Sequence, residues 1–130
     1  MGSKNRIFLG FISNEIRHYI RNTFHKDVYI TDITAKKIEN KHPPLDKEFI
    51  YNHNFQVVID NTIMVYFDEK QSIYNCLSKV NDKLLIYGMV SKNSRTEITT
   101  LFNTKPNQVK KRFLENQNLI VIRKEEFTTN

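Results

Sequence analysis

His42 ends a helix-like run, behind Lys41 and directly before Pro43 and Pro44, in the stretch IENKHPPLDKE. An imidazole exchanges protons near neutrality, which suits general acid–base work, and the adjoining lysine supplies a positive charge. Further on, the stretch RTEITTLFNT brings Arg95 together with Thr99 and Thr100, whose hydroxyls are of the type that hydrogen-bonds a phosphate oxygen. These residue types fit metal-free chemistry on a phosphodiester whose own 2′-hydroxyl is the nucleophile. The protein need only move protons to and from two oxygens and neutralise the phosphorane. The plainer reading is that His42 stops a helix and that threonines favour strands. Alternation puts Ile98, Thr100 and Phe102 on one strand face and Glu97, Thr99 and Leu101 on the other, and does not choose between the threonines.

Other chemistries lack their parts. His18, His25, His42 and His53 share no ligand spacing and no D-x-D carboxylate cluster occurs, so neither a metal site nor another cofactor is expected. There is no phosphate-cradling glycine loop and no G-x-S-x-G elbow. The single cysteine, Cys76, lies in an apolar stretch and reads as a small buried hydrophobe in a reducing compartment.

The elements that must position these groups follow from periodicity. In RIFLGFISNEIRHYIRNTF, Phe8, Ile12, Ile16, Tyr19 or Ile20, and Phe24 recur at helical intervals with Asn14, Arg17 and Arg21 between them, which predicts an amphipathic helix with a basic outer face. DVYIT is a short strand. Thr31 or Asp32 then caps a helix through His42, with Ile33, Ala35 and Ile38 packing inward. A linker holding Leu45, Phe49 and Ile50 leads to FQVVID, TIMVYFDE, SIYNCLSKV, LLIYGMVSK and TEITTLFN. Polar turns at DN, DEKQ, NDK and KNSR separate these β-prone runs, the pattern of an antiparallel meander. A helix starting at Pro106 and a final strand LIVIRK follow. The expected fold is α+β, with N-terminal helices packed on a curved four- to five-stranded antiparallel sheet.

The chain has 130 residues, 39% of them hydrophobic and 12% aromatic, which suits one domain spanning 1–130 rather than a disordered chain. The opening Met-Gly-Ser reads as an expression scar. IFLGFI is too short to span a bilayer and lacks a signal cleavage site, so membrane insertion is not expected and a cytoplasmic location is. A net charge of +6 points to a polyanionic partner.

Residues 28–104 resemble the barnase–EndoU–colicin–RelE (BECR) superfamily of ribonucleases, in its phage-associated branch. The likeness rests on DVYIT, the Lys-His-Pro corner at a helix end, SIYNCLSKVNDKLLIYGMVS, and a last strand of the form apolar-x-Thr-apolar-aromatic. It implies a helical N-terminal part against a four-stranded antiparallel sheet, and a metal-independent endoribonuclease, often a toxin acting on tRNA. Carried over, His42 and Thr100 are the catalytic pair, and Lys41, Lys79 or Arg95 the basic helper. Where related sequences often hold a second histidine, one helical turn before the first, this chain has Ile38.

In residues 105–124, Lys105, Lys110, Lys111, Arg112, Arg123 and Lys124 stand against Glu115 alone. Lys105, Lys110, Lys111 and Arg112, with Lys79 and Thr99, are candidates for RNA contacts, and Tyr51, Tyr66, Tyr74 and Tyr87 offer rings for stacking. The alternatives are a non-catalytic nucleic-acid-binding or phage structural module, or an interaction domain whose N-terminal helix docks on a partner. In a toxin, that partner would be an antitoxin or immunity protein.

Overall fold

The computed structural model describes residues 5–20, 24–92 and 95–123. The opening Met-Gly-Ser, Arg21, Asn93 and Ser94 of the expected KNSR turn, and Lys124 lie outside the described residues.

The N-terminal amphipathic helix does not form. Strand β1 (Arg6–Phe11) comes first, with Leu9 buried and Phe8 and Phe11 exposed, and a short helix α1 (Asn14–Tyr19) follows. Two features rule out one continuous helix. Gly10 has a φ of +146°, open to glycine and outside any helix, and Ser13 Oγ accepts from the Ile16 amide at 3.1 Å as an N-cap. The helical spacing survives only where Ile12, Ile16 and Ile20 are buried.

Strand β2 (Asp27–Thr31) runs into α2 (Asp32–Lys41), where Thr31 is the cap and accepts from the Thr34 amide at 3.2 Å. Ala35 and Ile38 pack inward, but Ile33, expected beside them, is 50% exposed. The expected linker is a π-helical turn, Asp46–Tyr51, that buries Phe49 and Ile50. FQVVID is helix α3 (Phe55–Asp60), not a strand. Phe55, Val58 and Ile59 fall three and four residues apart onto the core, so packing overrides their β-branched preference. Gln56 faces outward and bonds Asp60 at 2.9 Å one turn on.

The meander consists of β3 (Thr62–Asp68), β4 (Ile73–Val80), β5 (Lys83–Lys92) and β6 (Arg95–Thr104), each antiparallel to the next. Helix α4 (Pro106–Val109) continues as a π-helical turn, Lys110–Leu114, and β7 (Leu119–Val121) returns to pair with β3.

The sheet is therefore larger and differently built than expected. It has seven strands in the order β1-β2-β6-β5-β4-β3-β7, and it is mixed, because β2 lies parallel to β6. That corrects the four- to five-stranded antiparallel sheet under N-terminal helices. One face carries Val28, Ile30, Leu85, Tyr87, Ile98 and Leu101 beneath Ile16, Ala35, Ile38, Phe49 and Phe55 of the helical segments. On the opposite face, Val109 and Phe113 cover Met64, Leu77, Leu84 and Ile86. Among the described residues no helix is long and apolar enough to cross a membrane.

Candidate active site

β2 and β6 share only the pairs Val28↔Thr96 and Tyr29↔Glu97. Beyond them β2 ends and α2 begins, so the helix lies against the second half of β6. The recess between them has a volume of about 100 Å³ and is lined by Thr34, Lys37, Ile38, Lys41 and His42 of the helix and by Thr99 and Thr100 of the strand. Thr34, Lys37, Ile38 and Lys41 are three or four residues apart and so share one helix face. None of the lining residues is acidic, and two lysines and a histidine are among them. The space suits one phosphate-sized anion better than a base, since pockets for larger ligands begin at about 300 Å³. A larger hollow of about 540 Å³ lies outside α2, between Asp32, Lys36, Glu39 and Tyr51. It mixes both charges, is open to solvent and lacks His42.

His42 is held from both sides. Its amide donates to Ile38 O at 2.8 Å as the helix ends, and its carbonyl accepts from the Leu45 amide at 3.0 Å beyond the prolines. Its ring rests against Phe102, centroids 5.7 Å apart, and the Arg112 guanidinium lies 5.3 Å from the same Phe102 ring. One phenyl ring thus braces the histidine and ties it to the basic C-terminal segment.

A bulge governs how the two threonines are placed. Gly88 pairs with Thr100 and Met89 with Ile98, leaving Thr99 as an extra residue in β6. Strict alternation fails there, and both threonines border the recess. A Cβ placed on Gly88 would meet Thr99 Oγ1 at 2.5 Å and Thr100 Cγ2 at 3.3 Å. Thr99 thus turns its hydroxyl onto Gly88, where it is buried with no partner, whereas Thr100 turns its methyl there.

Of the residues singled out from sequence, His42, Lys41, Thr99 and Thr100 come together. Arg95 does not: it begins β6, five residues before Thr100, with its guanidinium 5.8 Å from the Tyr29 ring. That is roughly 15 Å along an extended strand. Lys79 is on β4, opposite Leu84 and separated from β6 by β5. Lys105, Lys110, Lys111 and Arg112 are exposed along α4 and its continuation, and among these Arg112 reaches Phe102. Tyr74 and Tyr87 are buried and unavailable for stacking. Tyr66 is half-buried against Phe113, and its hydroxyl is pushed above the usual tyrosine value by burial, with Arg112 opposing and Asp68 adding to the rise. Lys37 and Thr34 were missed, although their spacing from Lys41 on one helix was the available signal. Phe102 was missed as well, with no local signal beyond its being two residues after Thr100.

Among the described residues no group of three or more His, Cys, Asp or Glu is placed to hold a metal ion. No family model, curated protein or solved structure matches the chain.

Proposed function

We propose that this chain is a metal-independent endoribonuclease that cleaves RNA by 2′-hydroxyl transesterification, leaving a 2′,3′-cyclic phosphate and a 5′-hydroxyl. The observation that carries the proposal is the acid-free recess in which two separate elements bring His42, Lys37 and Lys41 against Thr100. The scissile phosphate sits with its non-bridging oxygens toward the two ammonium groups, which offset the charge that builds on the phosphorane. The Thr100 hydroxyl donates to one of those oxygens and fixes the phosphate's orientation. His42, held by its backbone bonds and by Phe102, performs one of the two proton transfers. The BECR resemblance names the same pair, His42 and Thr100, and makes tRNA a candidate substrate. Such an enzyme, acting in the cytoplasm, would need restraint in its own host by an antitoxin or immunity protein.

A second reading has its own observation. His42 is the one histidine lining the recess, and the place one turn earlier is Ile38, so a recess that only binds a backbone phosphate needs nothing more. Purified wild type, His42→Ala and Thr100→Ala incubated with total tRNA in EDTA separate the two. We expect cleavage to cyclic phosphate ends by wild type and a fall of about 10²- to 10⁴-fold in His42→Ala. Equal cleavage by His42→Ala sinks the site. RNA binding by all three without cleavage selects the binding module.

A further inference from the structure

The sheet face that carries Thr100 and Phe102 continues past the recess onto β2 and β1. Tyr29 pairs with Glu97 on one side and with Phe8 on the other, so Arg6, Phe8, Tyr29, Arg95 and Glu97 share this face, while Leu9, Val28, Ile30 and Ile98 point to the core. Its rings are close together, and two of them are open while Tyr29 is half-buried. Phe8 is 44% and Phe11 53% exposed, their centroids lie 5.1 Å apart, and Phe8 stands 5.5 Å from Tyr29. Arg95 lies over Tyr29 at 5.8 Å. Arg6 is neutralised by Glu97 at 3.1 Å, but Arg95 is paired in register with Lys92, two cations directly opposed at the end of the β5–β6 ladder. Such opposition destabilises a ladder unless an anion lies nearby.

We propose that this face is a stacking track for single-stranded RNA that leads into the recess. Bases lie on Phe8 and Tyr29, and Arg95 and Lys92 hold the phosphates between them. The inference rests on the reading that the recess takes RNA, and it gives Arg95 a binding role in place of the catalytic one its sequence position suggested. Charge favours RNA over a protein partner, because Lys92 and Arg95, directly opposed at the end of the ladder, present two cations beside the rings for phosphates to neutralise. The track also predicts a preference for single strands, since duplex bases offer no free face.

Fluorescence anisotropy of a labelled oligouridylate, read in the His42→Ala background to prevent cutting, tests the track. Phe8→Leu and Tyr29→Leu each weaken binding by about fivefold to a hundredfold. Neither changes affinity for an abasic strand of the same length, which also shows that the fold is intact. Arg95→Gln weakens both strands and lowers the salt dependence by about one phosphate contact. Unchanged oligouridylate affinity in both ring variants, with tRNA still cut by the enzyme retaining His42, overturns the track and leaves the site standing. No binding and no cutting by the unsubstituted protein overturns both. Duplex RNA binding as tightly as single strands overturns the track alone. So does self-association in sedimentation that Phe11→Ser abolishes while RNA affinity persists, which would assign the face to a second copy of the chain.

Discussion

Gly88→Ala is the most direct test of the bulge that brings Thr99 and Thr100 to one recess. Gly88 has no left-handed backbone, so alanine fits its dihedral angles, and the loss of unfolded-state freedom alone would stabilise by about 0.4–1 kcal/mol. The new methyl would meet Thr99 Oγ1 at 2.5 Å, Ile73 Cγ2 at 3.2 Å and Thr100 Cγ2 at 3.3 Å. Overpacking of that kind costs about 1–3 kcal/mol, so a net loss of roughly 1–2 kcal/mol is expected. The largest part of it belongs to one atom. Thr99→Ala removes that atom together with a buried hydroxyl that has no partner, so by itself it should be close to neutral. In the Thr99→Ala background, Gly88→Ala should then cost less than about 0.5 kcal/mol, a coupling of 1 kcal/mol or more. Urea midpoints of the four proteins, at a common denaturant slope, give the cycle. An equal loss in both backgrounds would refute the account of the bulge.

Three further outcomes follow from other parts of the molecule. Thr62 Oγ1 bonds the Tyr87 hydroxyl at 2.8 Å and Ile59 O at 2.7 Å, both in buried surroundings, so Thr62→Val should cost about 1–3 kcal/mol in urea unfolding and Thr62→Ser less. Burial pushes the Cys76 thiol up from 9.0 to about 12, with the Tyr87 hydrogen bond pulling the other way. Its neutral form is the native one, so its contribution is fully present below pH 9 and is lost as pH rises through about 12. Urea midpoints should fall across that range, less steeply in Cys76→Ala, and iodoacetamide should label the wild-type thiol only after unfolding. Phe102→Leu removes the ring that His42 and Arg112 both touch; kcat on tRNA should fall by roughly 10- to 100-fold while stability changes by less than about 1.5 kcal/mol.

The parts of the site governed by local rules were legible in the sequence. Two prolines had to end α2 at His42, Thr31 had to cap it, and Asn81, with φ of 54°, sits in the tight turn expected between β4 and β5. Where two local rules competed, the wrong one was followed. Isoleucines at helical spacing concealed a strand with a bulge before Gly10, and β-branched residues concealed α3, whose core-facing side decides its form. The parallel pairing of β2 with β6 has no local signature, because it joins segments at opposite ends of the chain. The bulge at Thr99 is legible only beside Gly88, on another strand.

That parallel junction has a kinetic consequence. The meander joins neighbours in sequence through tight turns and can form early, but the two-pair seam between β2 and β6 closes the longest loop in the sheet and should form late. The recess lies just beyond that seam, between elements the seam joins, so it comes into being only when the seam does. Brief opening of those few pairs would scatter His42 and Thr100 while the meander stays intact. Amides at the seam should therefore exchange with solvent through local openings well below the global unfolding energy. Any activity housed there is set by the closure of one short joint, whatever the stability of the sheet around it.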